Sequence, residues 1–165
     1  AWPDADMLPL GMLQLGRKTN FTTDEQYTLM TLWSIARSPL IHGGDMTKTD
    51  SLTLSLLTND EVLAVNQHSK NNRQLFRTEE GLIAWIADVP NSKDKYLALF
   101  NTQSKGGTDL PKTANVKVNF DAMGIKGKAK VHDLWSHKDL GTFNGSFSRE
   151  ILQHGAGLYR ITPLR

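Results

Sequence analysis

Hydrophobic positions recur along this chain with two different periods. Up to about Gln67 the spacing is helical, and from about Arg73 it becomes strand-like. The stretch "TTDEQYTLMTLWSIAR" predicts a helix opened by a capping box, with Thr23 as N-cap and Gln26 three residues on. Leu29, Met30, Leu32, Trp33 and Ala36 supply its apolar stripe, and Arg37 sits where a cation complements the helix dipole. Pro39 ends it, and "PLIHGG" reads as a short buried strand closed by a turn. "TDSLTLSLL" and "NDEVLAVNQ" predict two more helices, the second capped by Asn59. The opening "AWPDADMLPLG" reads as a strand running into a loop. The resulting order of strand, helix, strand, helix is that of βα units.

Beyond Arg73, "GLIAWIAD" and "KYLALF" are apolar runs parted by the turn-rich "VPNSKD", as expected of neighbouring strands in a core. "ANVKVNF" alternates strictly: Ala114, Val116, Val118 and Phe120 face one way, and Asn115, Lys117 and Asn119 the other. "KAKVHDLW", "GSFSREIL" and "GLYRITP" continue the series with glycines between them. The pattern divides the chain into residues 1–70, an α/β portion, and residues 71–165, an antiparallel β-sandwich.

Composition narrows the function. A formal charge of +2 gives no nucleic-acid footprint, and Lys126, Lys128 and Lys130 read as a solvated strand edge. Without cysteine there is neither disulfide nor thiolate chemistry. The sequence has no apolar run of the roughly 18 residues a membrane span needs. It opens without methionine and in mid-motif, which reads as a piece of a longer protein whose targeting signal cannot be read. No cofactor motif is present.

The blocks "WPDADMLPLG", "TTDEQYTLMTLWSIARSPLIHGGDM" and "LLTNDEVLAVNQHS", in that order, resemble the closing part of the catalytic domain of glycoside hydrolase family 27, the α-galactosidase type. The ending "HGAGLYRITP" is similar to the last strands of that family's C-terminal β-domain. The resemblance implies an α+β chain: the last βα units of a (β/α)₈ barrel, followed by an antiparallel β-sandwich. It places "PDADM" at the C-terminal end of the seventh barrel strand, the face where barrel enzymes build active sites. "SPLIHGGDM" becomes the eighth strand and its turn, with Asp45 capping the next segment. Asp6 and Met7 then line a sugar pocket. The family's nucleophile and acid/base fall upstream of Ala1, so no catalytic residue is expected in this chain. The implied chemistry is retaining hydrolysis by two carboxylates about 5 Å apart. The implied partner is a galactoside-type carbohydrate, and a periplasmic or secreted location follows if the parent degrades polysaccharide in a bacterium.

The residues themselves leave alternatives open. Asp4 and Asp6 form a D-x-D pair that could share a cation, but no further carboxylate cluster completes a divalent site. The five histidines lack the i, i+4 pairing of a zinc helix and read as structural or surface residues. Asp4 suits a loop cap, whereas Asp6 suits a carboxylate accepting from sugar hydroxyls beside an adaptable Met7. Trp2 fits sugar stacking and core packing equally, while Trp33, Trp85 and Trp135 fit the core. The glycosylation patterns at Asn20 and Asn144 are too short to carry weight.

The alternative function is a non-catalytic carbohydrate-binding sandwich using exposed Tyr96, Trp135 or Tyr159. A third is a structural domain without ligand. Two βα units taken alone expose apolar edges. Residues before about 70 are therefore expected either to pair, with another copy or with the remaining barrel, or to pack loosely.

Overall fold

The structure, a computed structural model, describes residues 2–103 and 113–164. Among them lie three α-helices, α1 (Thr23–Ala36), α2 (Ser51–Thr58) and α3 (Asp60–His68). Eight strands follow: β1 (Lys70–Arg77), β2 (Leu82–Asp88), β3 (Lys95–Asn101), β4 (Thr113–Asn119), β5 (Lys128–Asp133), β6 (Lys138–Asn144), β7 (Ser146–Leu152) and β8 (Ala156–Pro163). They form a six-stranded antiparallel sheet, ordered β1-β2-β3-β8-β5-β6, and a two-stranded sheet of β4 and β7.

Two apolar layers result. Between the sheets, Ile86, Leu97, Leu99, Ile161 and Val131 meet Val116, Val118, Phe120, Phe147 and Ile151. On the other face of the large sheet, Tyr96, Ala98, Phe100 and Leu158 receive Met30, Ile35, Val62 and Val65 from α1 and α3, together with Leu8, Leu10 and Leu56. This explains why "YLALF" is uninterrupted: β3 is covered on both faces, so both of its alternating sets must be apolar. β4 has one covered face, and its exposed Asn115, Lys117 and Asn119 lie where the alternation places them.

The helical portion is thus not loosely packed. Leu8, Leu10, Met30, Ile35, Leu56, Val62 and Val65 are fully buried. The sandwich supplies the apolar surface that covers them, so no second copy is required for their burial.

The capping box of α1 stands one residue earlier than expected. Thr22 is the N-cap, its Oγ1 accepting from Glu25 N at 3.3 Å, while Glu25 Oε2 accepts from Thr22 N at 2.8 Å. Consequently the buried face carries Gln26, Met30, Thr31, Ser34 and Ile35, and Leu32 is turned outward. The predicted α3 cap is found as expected, with Asn59 Oδ1 accepting from Val62 N at 3.1 Å. Its Nδ2 donates to Leu134 O at 2.9 Å, tying the helix start to the sandwich.

"PLIHGG" is not a buried strand. It is an extended segment with one parallel bridge, His42 to Leu8, and Ile41 is half exposed. The edge strands β1 and β6 escape the pattern because one-sided contact leaves "KNNRQLFR" and "KDLGTFN" mostly polar. A register shift after Lys70, with Asn71 at φ 55°, further breaks the alternation of β1.

Arg37 ends α1 in the left-handed conformation, φ 57°, and fastens α3 as well. Its guanidinium donates to the carbonyls of Asn66 (2.8 Å), Ser69 (2.6 Å) and Gln67 (3.0 Å). Arg37→Ala is expected to destabilise the chain by about 2 kcal/mol. Arg37→Lys should restore little, because an ammonium lacks the planar fork. Urea midpoints of the two variants check this.

Candidate functional site

The opening segment is held in a defined shape by groups from α1 and its C-terminal end. Ala5 N donates to Ser38 Oγ at 2.9 Å, and Trp33 Nε1 donates to Asp6 O at 2.8 Å. The Arg37 Cζ lies 4.1 Å from the centre of the Trp2 ring, a cation–π contact. Leu8 N donates to Ile41 O at 2.7 Å, and Gly43 N to Leu8 O at 2.9 Å, so segments 5–9 and 40–44 run side by side. Gly43 allows the approach: a Cβ there would sit 3.1 Å from Met7 Cβ.

Within this frame Asp6 adopts φ 70°, a conformation non-glycine residues rarely take and aspartate tolerates better than most. Two hydrogen bonds stabilise it. Asp4 Oδ1 accepts from Asp6 N at 3.0 Å, and Asp6 Oδ1 accepts from Met7 N at 2.7 Å. Asp4 therefore acts as the cap of this loop. Trp2, Asp4, Asp6 and Met7 are all exposed, forming a rim beside the glycines of "HGGD" rather than an enclosed cavity. Asp45 closes the next turn. Its Oδ1 accepts from Thr47 Oγ1 at 2.6 Å and Thr47 N at 3.0 Å, and these bonds hold its carboxyl below the usual range.

Sequence reasoning missed a cluster at the junction of α3 with the large sheet. His132 on β5 places Nδ1 2.5 Å from Asp139 Oδ1 and Nε2 3.1 Å from Glu61 Oε2. His137 Nδ1 reaches the same Glu61 oxygen at 3.2 Å. Tyr96, Leu134 and Arg160 complete a cleft of about 300 Å³ around the group. Elsewhere His154 Nδ1 lies 3.0 Å from Glu25 Oε1, joining the β7–β8 turn to the start of α1. Glu61 lies 71 residues from His132, and Glu25 129 from His154, so no local spacing announces these two pairs, whereas His132 and Asp139 face each other across the β5–β6 hairpin. Among the described residues no group of three or more His, Cys, Asp or Glu side chains is arranged to hold a metal ion, and no helix is long and apolar enough to cross a membrane.

Two family models match this arrangement in order. Residues 1–68 match one described as alpha galactosidase A, and residues 79–161 match the alpha galactosidase C-terminal beta sandwich domain. The chain belongs to the α-galactosidase family, glycoside hydrolase family 27. It corresponds to the end of the (β/α)₈ barrel and the C-terminal β-sandwich of these enzymes. It is 28% identical to an alpha-galactosidase of Oryza sativa over 98% of this chain and 36% of that protein. Among solved structures it resembles a family-27 β-L-arabinopyranosidase from Geobacillus stearothermophilus, with TM-score 0.89 and 38% identity over 98% of this chain and 37% of that one. It also resembles a protein described as a putative alpha-N-acetylgalactosaminidase from Bacillus halodurans, with TM-score 0.89 and 34% identity over 99% of this chain and 40% of that one. The chain thus spans somewhat over a third of the length of these relatives.

The imidazole of His132 is held above its ordinary pKa, chiefly by the Asp139 hydrogen bond, with burial opposing and the Glu61 charge assisting. A raised folded-state pKa contributes stability that is complete below the unfolded value of about 6.5 and is lost as pH rises through the folded value. Asp139 is largely exposed, so salt should weaken the effect. Urea midpoints of this α-galactosidase-family chain, followed from about pH 5 to about pH 9, should fall across that window. His132→Asn should flatten the profile.

Proposed function

We propose that this chain forms the closing part of a retaining glycoside hydrolase of the α-galactosidase type, in which Asp6 and Met7 supply one wall of the sugar pocket. The observation that carries this reading is the conformation of Asp6. A left-handed aspartate held by five surrounding contacts, from Asp4, Met7, Trp33, Ser38 and the Leu8–Gly43 pairing, is costly backbone kept at an exposed rim. The carboxylate accepts directional hydrogen bonds from ring hydroxyls, and the thioether gives an adaptable apolar contact beside it. Trp2, steadied by Arg37, offers a flat face for the non-polar side of a pyranose. Asp4 serves the pocket indirectly, by fixing the turn in which Asp6 lies.

The nucleophile and the acid/base belong to earlier barrel strands outside these 165 residues, so the chain alone is inert. The substrates consistent with the relatives' names are terminal α-galactosyl, α-N-acetylgalactosaminyl or β-L-arabinopyranosyl groups. Residues 1–70 form the barrel end and residues 71–165 the β-domain, which braces it through the apolar layer beneath α1 and α3.

Asp6→Ala in the full-length enzyme is expected to lower kcat/KM by about 10- to 100-fold on nitrophenyl glycosides, largely through KM. Unchanged kinetics would remove Asp6 from the pocket. The isolated 165-residue chain should release no nitrophenol, and turnover by it unaided would show that the catalytic pair lies within it.

A further inference from the structure

A cleft of about 270 Å³ opens between the first half of α1 and the β7–β8 hairpin, a site the reading above leaves unused. Its walls include Tyr27, Trp135, Asp24, Asp133, Arg149 and Glu150. Trp135 and Tyr27 meet edge to face, with ring centres 4.8 Å apart at 89°. The Trp135 indole is further pinned by its Nε1 donating to the buried Thr31 Oγ1 at 2.9 Å. Asp133 Oδ1 accepts from the backbone of Trp135 at 3.0 Å and of Ser136 at 3.3 Å, fixing the turn that carries the ring. The same aromatic pair also lines a neighbouring cleft of about 350 Å³, whose other walls include Ser55, Thr58, Asn59 and Asp60. Open space thus lies to more than one side of a rigid aromatic platform.

The lining dictates the ligand. An aromatic platform suits the C–H face of a ring, and flanking carboxylates and a guanidinium suit hydroxyl groups that both donate and accept. Three carboxylates, Asp24, Asp133 and Glu150, oppose the single Arg149, so an anion is disfavoured. The volume lies just below the roughly 300–1,000 Å³ of small-molecule sites, which suits one ring with its substituent in solvent. We propose that this cleft binds a neutral saccharide, stacked on Trp135 and hydrogen-bonded by Asp24, Arg149 and Glu150. Of the aromatics the sequence offers for stacking on the sandwich, Tyr96 and Tyr159 are buried, which leaves Trp135 as the stacking surface. Asp24 lies in the first turn of α1, whereas the Asp6 loop is fastened by Trp33 in its last turn and by Ser38 beyond it, roughly 14–20 Å along the axis.

The test is an NMR titration of the 165-residue chain, following the indole N–H signals of its four tryptophans. Methyl α-D-galactopyranoside should move the Trp135 signal saturably, with affinity in the millimolar range. Asp6→Ala should leave that titration unchanged. Asp24→Asn with Arg149→Ala should weaken it by about tenfold, and if that double variant fails to fold, the exposed Glu150→Gln should weaken it measurably instead. No saturable movement of Trp135, movement confined to Trp2 and Trp33, or indifference to the cleft variants would overturn the proposal. So would an equal response to calcium chloride alone, which would make the carboxylates a cation site. Because the Asp6→Ala chain reports on this cleft separately, failure here leaves the Asp6 reading standing, and the converse holds.

Discussion

The outer face of the six-stranded sheet is the constraint on which the rest of the molecule depends. Tyr96, Ala98, Phe100 and Leu158 present an apolar surface that an isolated sandwich would leave in water. Met30, Ile35, Val62 and Val65 cover it, and Leu8 and Leu10 are drawn into the same layer. Each such aliphatic side chain contributes roughly 1.5–3 kcal/mol when fully buried. Within the same layer α1 and α3 also pack on each other. The position of the Asp4–Met7 loop is set from below by Leu8, buried in this layer and paired with Ile41 and Gly43.

Burial alone is non-directional, and polar fasteners give the layer its register. Several of them serve two ends at once. Arg37 closes α1 and satisfies the last carbonyls of α3, while Asn59 opens α3 and holds Leu134 O. Asn66 donates to Trp33 O and Ser38 O, and Asn72 donates to Ile35 O. The terminal carbonyls of α1 thus find partners instead of being buried unpaired, which would cost about 1–3 kcal/mol each. The residues that hold the loop, Trp33, Arg37 and Ser38, belong to this same network, which is how rigidity passes from the sheet to Asp6.

Much of this was legible in the sequence wherever a local period or cap reports burial. β4 shows its wet face in Asn115 and Lys117, and Asn59 announces α3. α1 was displaced by one residue because Thr22 and Thr23 are both competent caps, and only Glu25, reaching back to Thr22 N, decides between them. Its true face carries Thr31 and Ser34, polar residues no hydrophobic pattern would select, and Thr31 is there to receive the Trp135 indole. β1 and β6 were illegible because edge strands need little apolar surface. The Glu61–His132–Asp139 cluster was illegible because Glu61 reaches the His132–Asp139 hairpin pair only through the packing of α3 against the large sheet. Of the rim residues, the loop-capping role of Asp4 follows from its spacing to Asp6, whereas the proposal that Asp6 lines a sugar pocket rests on family membership and on backbone strain that the sequence does not display.

Native-state hydrogen exchange tests most directly whether the helices and the sandwich are one cooperative unit. The amides of Met30 and Ile35 in α1 should open with the same free energy and the same denaturant dependence as those of Leu97 and Leu99 in β3. If the α1 amides instead exchange through a sub-global opening several kcal/mol cheaper, while β3 stays protected to the global limit, the sheet does not support the barrel end and the account fails.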